Sequence, residues 1–198
     1  MQKNACKSAV SNSKERAGEM MQQNLGYDSA VISSKNYIPA KYLPRPATVK
    51  HEILSTSTRP QSYDGVFFLC VCSGKGKVHV NREEHLLQAG SCILLHFFQY
   101  FRIEPAKGIE LDTYQVFLTG ETYHFVMTLP GENLSVLDRT SLSPYTVLPQ
   151  EECQKVLSLL RFMLESPSPQ LQCVYLYELL GRFARCCCTD LGLQKQHR

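Results

Sequence analysis

Between Thr48 and Leu118 the chain is cut into apolar runs of five to eight residues by Gly, Asn and Pro, and this punctuation limits what it can become. Runs of that length, rich in Val, Ile, Tyr, Phe and Thr and closed by turn residues, are strands at the spacing of a barrel or sandwich. They are predicted near 48–55, 65–72, 76–81, 84–88, 91–96, 99–104 and 108–118. The connections have matching chemistry. "SGKG" at 73–76 supplies glycines for positive φ, "NREE" at 81–84 starts on Asn, and "PAKG" at 105–108 joins Pro to Gly.

Past residue 148 the apolar period lengthens from two to about 3.6. In "LPQEECQKVLSLLRFMLES" Cys153, Val156, Leu157, Leu160, Met163 and Leu164 fall on one helical face. "SPSP" at 166–169 closes that helix, and "LQCVYLYELLGRFARCCC" repeats the pattern with Leu176, Leu179, Leu180, Phe183 and Cys187. The two segments predict a helical hairpin with a proline turn. Between barrel and hairpin, "ETYHFVMTLP" predicts a short helix ending at Pro130, and "NLSVLDRT" one more strand. Ahead of the barrel, residues 1–37 are polar and read as a partly disordered arm. Pro39, Pro44 and Pro46 then impose an extended entry. The expected division is an arm at 1–37, a barrel at 38–148, a hairpin at 149–192 and a tail at 193–198.

Several function classes lose ground on composition. The chain of 198 residues is 43% hydrophobic, enough for a core without covalent staples. Its nine cysteines follow no secretory h-region, so reduced thiols and a cytoplasmic setting are expected. No apolar run reaches the length of a membrane span. A net charge of +3 from scattered basic residues gives no electrostatic footprint for direct nucleic-acid contact.

Candidate chemistry is sparse. His79, His85 and His96 are separated and do not form the His-x-His pair with a later carboxylate that a catalytic metal requires, so no metal and no cofactor are expected. Cys70 and Cys72 share one strand face without Cys-x-x-Cys spacing and read as small buried hydrophobes. In "GIELDTYQVFLTG" strand parity puts Ile109, Leu111, Thr113, Gln115 and Phe117 on one face and Glu110, Asp112 and Tyr114 on the other. The charges mark the second face as outward. Thr113 and Gln115 then either line a cavity or satisfy each other in a filled core.

Arg59-Pro60 before the second strand, Gly65, the Gly74-x-Gly76 hairpin, Gly90 ahead of the central strand and Phe-x-x-Gly at Phe117 to Gly120 together resemble the effector-binding and dimerisation domain of AraC-type transcription regulators, over roughly residues 38–190. The resemblance implies a mainly β fold: a cupin-like (double-stranded β-helix, jelly-roll) barrel followed by a C-terminal α-helical hairpin. It implies a small-molecule effector, sugar or carboxylate-like, and no catalysis. Arg59 matches an arginine that sugar-binding members use to hold the effector, the bland alternative being a solvated strand-edge arginine. Ile103, Thr113 and Gln115 stand where those members place aromatic and imidazole groups, which draws the effector away from arabinose-like sugars. A homodimer seam through Leu157, Leu160, Leu176, Leu179, Leu180 and Phe183 is implied by the hairpin. After Cys188 only "TDLGLQKQHR" follows, too short for the helix-turn-helix domain of such regulators. The competing expectation is a small cupin enzyme, of isomerase or oxygenase type, acting on a sugar or metabolite.

Overall fold

Ten strands and three α-helices form three layers in a computed structural model, which describes residues 38–39, 47–130, 134–138, 144–166 and 168–190. The strands are β1 (Ile38–Pro39), β2 (Ala47–Leu54), β3 (Tyr63–Asp64), β4 (Val66–Ser73), β5 (Lys75–Val80), β6 (Glu83–Gln88), β7 (Ser91–Leu95), β8 (Phe101–Pro105), β9 (Leu111–Leu118) and β10 (Tyr145–Val147). The helices are α1 (Gly120–Met127), α2 (Gln150–Glu165) and α3 (Pro169–Asp190). The expectation for residues 1–37 lies outside the described residues.

A five-stranded sheet in the order β10-β7-β4-β9-β2 faces a three-stranded sheet in the order β6-β5-β8. Both are antiparallel. The facing sides enclose Phe67, Leu69, Val71, Val78, Val80, Ile93, Leu95, Phe101, Ile103, Leu111 and Phe117, which is the barrel interior. The other side of the large sheet carries Phe68, Cys70, Cys92, Leu94, Tyr114, Val116 and Leu118 and is covered by the helices. This second core explains why β4 and β7 are continuous apolar runs: strands covered on both faces do not alternate.

Turn chemistry sets the hairpins. Gly74 adopts φ +94°, a conformation that L side chains rarely take, and joins β4 to β5. Gly76 has a different reason to be glycine, since a Cβ there would sit 2.5 Å from the Glu104 carbonyl oxygen of β8. Asn81 turns the next hairpin at φ 52° and accepts a bond from the Tyr100 amide at 3.1 Å.

Helix α1 starts at Thr119, whose hydroxyl accepts the Thr122 amide hydrogen bond at 3.1 Å. The hairpin turn is held by Gln172, 2% exposed, which donates to the Met163 carbonyl at 3.2 Å and the Ser166 carbonyl at 3.1 Å. Those are carbonyls that the end of α2 leaves without a helical partner. Arg182 of α3 pairs with Glu152 of α2 at 2.8 Å.

Three expectations need correction. The strand predicted in "NLSVLDRT" is a 3-10 turn at Ser135–Asp138, with Leu137 buried and its carbonyl accepting from the Tyr123 hydroxyl at 3.2 Å. The edge of β7 is taken instead by β10, in register Tyr145↔Ile93 to Val147↔Ser91, a strand too short to show any period. Second, Ile109 is 42% exposed and precedes β9, so it does not share the inner face of that strand, and the opposite parity, expected to face outward, is covered by the helices from Tyr114 onward. Third, Leu160, Leu176, Leu179, Leu180 and Phe183, expected in a dimer seam, are wholly buried against the large sheet of their own chain. Each contributes roughly 1.5–3 kcal/mol there. Leu157 is only partly covered by the same core.

Candidate functional site

Leu111, Thr113, Gln115 and Phe117 do face the barrel interior, as their parity in β9 requires. Their cross-strand partners in β2 are Leu54, Glu52, Lys50 and Thr48. Directly opposed residues share a sheet face. Lys50 and Glu52 therefore belong to the inner side of the large sheet, although both are exposed, because β2 is an edge strand.

The contacts form a continuous strip. Gln115 is 4% exposed and donates from Nε2 to Glu52 Oε2 at 3.0 Å and, more weakly, to the Thr113 hydroxyl at 3.4 Å. Thr113 in turn donates to the Glu52 backbone carbonyl at 3.0 Å. Lys50 Nζ lies 5.2 Å from the centre of the Phe117 ring, a cation–π distance. An ammonium, a carboxylate, an amide and a hydroxyl thus stand along the rim of an apolar interior. That mixture suits a ligand with a polar head and an apolar body.

Deeper in, one end of the barrel is filled by its own rings. Phe67 stacks on Phe101 with centroids 4.6 Å apart, Phe67 meets Phe117 at 5.0 Å, and Tyr63 meets Phe117 edge-on at 5.2 Å. Burial pushes the Tyr63 hydroxyl well above its usual range, with Asp64 adding to it. Phe101 is 3% exposed and belongs to this packed cluster.

The expected site residues separate into two groups. Ile103, Thr113 and Gln115 are buried in the interior. Arg59 is exposed, on a segment that runs along β8: the Thr58 amide donates to the Ile103 carbonyl at 2.9 Å and the Ile103 amide to the Thr58 hydroxyl at 2.9 Å. Arg59 is thus one residue from a direct tether to Ile103.

His79, His85 and His96 do not converge. His79 lies on the outside of the small sheet, 3.3 Å from Glu104 and 3.6 Å from Glu84. His85 sits beside the Tyr145 ring, with centroids 5.1 Å apart. His96 is buried under Tyr123 of α1, ring centroids 6.0 Å apart, and burial lowers its pKa while Asp138 opposes that shift. A separate groove of about 380 Å³ opens at the end of the small sheet among Lys75, Lys77, Leu86, Glu104 and Lys107.

Sequence reasoning missed Lys50 and Glu52. The available signal, strict alternation in "TVKHEIL", points the wrong way, because Val49 and Ile53 read as the inner face. Val49 instead packs toward the helices, while Ile53 is 57% exposed.

No family model and no curated protein sequence matches the chain. Solved structures do. Apo ToxT from Vibrio cholerae, a point variant, superposes with a TM-score of 0.51 at 10% identity, over 67% of this chain and 54% of that one. Unsaturated fatty acid bound wild-type ToxT from Vibrio cholerae gives a TM-score of 0.53 at 11% identity, over 73% and 55%. A cupin superfamily protein from Desulfitobacterium hafniense covers 37% of this chain and 68% of its own, with a TM-score of 0.35 and 10% identity. The chain is thus similar in fold to ToxT and spans about half the length of those structures, 54–55%. The cupin-like barrel followed by helices, expected from the resemblance to AraC-type regulators, is the fold observed. Among the described residues no helix is long and apolar enough to cross a membrane.

Proposed function

We propose that the chain is the small-molecule-sensing and dimerisation domain of an AraC-type transcription regulator and performs no catalysis. The observation that carries the reading is the polar strip on the β2 edge, where the exposed heads of Lys50 and Glu52 adjoin buried Gln115 and Phe117. The effector is an amphiphile with a carboxylate or polyol head. Lys50 takes the carboxylate, Gln115 and Thr113 exchange hydrogen bonds from Glu52 to the head, and Phe117, Ile103 and Leu111 receive the apolar part. Arg59 closes on the head from the rim. The fatty acid named with one ToxT structure supports this ligand class. The scattering of His79, His85 and His96 supports recognition over metal-assisted chemistry inside the barrel. A cytoplasmic location goes with this reading, and DNA contact belongs to a different domain of such a regulator.

Dimerisation is assigned to the outward side of the hairpin, where Phe162, Leu171 and Val174 are 53%, 47% and 61% exposed and Phe162 stacks on Tyr175 at 5.8 Å. Effector binding shifts the population of subunit arrangements and so changes how two subunits present their partner domains.

A thermal-shift screen of fatty acids, short carboxylates and sugars tests the proposal. A ligand at about 100 times its dissociation constant stabilises by about 2.7 kcal/mol. The shift is expected with carboxylates and to vanish in Lys50→Ala combined with Gln115→Leu. A shift of equal size in that double variant, or none with any compound of these classes, rejects the site.

A further inference from the structure

Three side chains of different chemistry meet on the helix-facing side of the large sheet. His51 of β2, Cys72 of β4 and Asp112 of β9 each offer one ligand atom, and these atoms lie within 4.8 Å of one another. Pairing explains the convergence. His51 is opposite Tyr114 and Ile53 opposite Asp112, which makes His51 and Asp112 diagonal neighbours on one face. On the other flank of β9 the β4 ladder runs in register to Val71↔Thr113 and resumes at Ser73↔Asp112, so Cys72 is the extra residue of a β-bulge. Bulges break the ladder locally and re-aim a side chain.

The imidazole is already oriented. It stacks on Tyr114 with centroids 4.5 Å apart and planes at 19°, and its Nε2–H donates to Asp112 Oδ1 at 2.7 Å. We propose that His51, Cys72 and Asp112 form a binding site for a thiophilic divalent transition-metal ion of the Zn²⁺ class, with a fourth position open to water or another ligand. Binding releases the Cys72 thiol proton to solvent and moves the imidazole proton from Nε2 to Nδ1, leaving Nε2 free to coordinate.

Sulfur, imidazole nitrogen and carboxylate oxygen are the donor types that tetrahedral zinc accepts. With bond lengths of about 2.0–2.3 Å, ligand atoms of such a site lie roughly 3.4–3.6 Å apart. That is within the observed spread, and the His51–Asp112 pair has to open by less than about 1 Å. Electrostatics agree with a cation here. Burial first, then the carboxylate of Asp112 and the neighbouring Cys70 and Cys153, push the Cys72 thiol up to about 12, while Arg161 pulls it down. A metal ion between thiol and carboxylate reverses both leading penalties, because a coordinated thiol is deprotonated outright. Arg161 of α2 is the cationic group that opposes it. The site lies on the opposite side of the sheet from Thr113 and Gln115 and is independent of the effector reading.

The test uses the full chain, reduced and stripped with chelator, titrated with Co²⁺ and then Zn²⁺ alone. A stoichiometric thiolate-to-cobalt charge-transfer absorption is expected, displaced by Zn²⁺ and abolished in Cys72→Ser. His51→Ala, at an exposed position that leaves the core intact, is expected to weaken binding at least about 100-fold, since loss of outer-shell partners alone costs about 10- to 100-fold. Cys153→Ser keeps the absorption. Its absence from the parent chain, its survival in Cys72→Ser, or unchanged affinity in His51→Ala overturns the assignment. None of these outcomes alters the ligand screen of the barrel, which Lys50 and Gln115 report separately.

Discussion

Gln115 Nε2 donates to Glu52 Oε2 at 3.0 Å, joining a buried amide of β9 to an exposed carboxylate of the edge strand β2. A hydrogen bond with one partner in water adds little to stability, because the carboxylate is solvated equally well without it. Gln115→Leu is therefore expected to change the unfolding free energy by no more than about 1 kcal/mol. The same variant should abolish most of the thermal response to carboxylates. Urea unfolding and a ligand titration on one preparation check both halves, and an unaltered ligand response places the head group elsewhere.

The ring cluster has the opposite profile. Phe101 is 3% exposed and stacks on Phe67 at 4.6 Å, so Phe101→Ala leaves a cavity in a packed interior. A loss of about 3–5 kcal/mol is expected. Tyr100→Ala, next to it but 51% exposed, should stay within about 0.5 kcal/mol. Equal effects of the two variants would mean that the rings do not pack as described.

Two substitutions in α3 separate core from seam. Leu179 is wholly buried, and Leu179→Ala should cost about 2–5 kcal/mol whatever the oligomeric state. Val174 is 61% exposed, and Val174→Asp should leave the monomer's urea midpoint unchanged while driving dimers apart in sedimentation. Dimers that withstand Val174→Asp count against the outward side of the hairpin.

His96 predicts an acid-side slope. Burial holds its pKa below the usual 6.5, so as pH falls below that value the unfolded chain takes up a proton that the folded chain refuses. Stability should decline from about pH 6.5 until the buried ring itself protonates. His96→Leu should flatten the urea midpoint between about pH 7 and pH 5, and an unchanged slope assigns the effect to other groups.

The strands and the hairpin were legible because both rest on local physics. Turn residues such as Gly74 and Asn81 need particular φ values, and runs of five to eight β-formers between them have few alternatives. In β9 the inward parity of Leu111, Thr113, Gln115 and Phe117 is legible, but the parity read as outward from Glu110 and Asp112 is covered by the helices at Tyr114, because two charges at the start of a strand do not report what packs on its far end. β10 was not legible, being three residues long and ordered by pairing with β7. Nor were His51, Cys72 and Asp112, which lie far apart in the chain and meet through strand order and the bulge at Cys72.

The 3.6-residue period identified Leu160, Leu176, Leu179, Leu180 and Phe183 as an apolar face without saying what covers it. Periodicity reports that surface must leave water. It is silent on whether a sheet of the same chain or a second copy removes it. Here the large sheet does, and by occupying both of its faces it also turns Lys50 and Glu52 toward the barrel rim. Local sequence decided which segments become strands and helices, because backbone preference and burial period act over a few residues. Tertiary packing decided which faces meet, because that depends on the order of strands in the sheets.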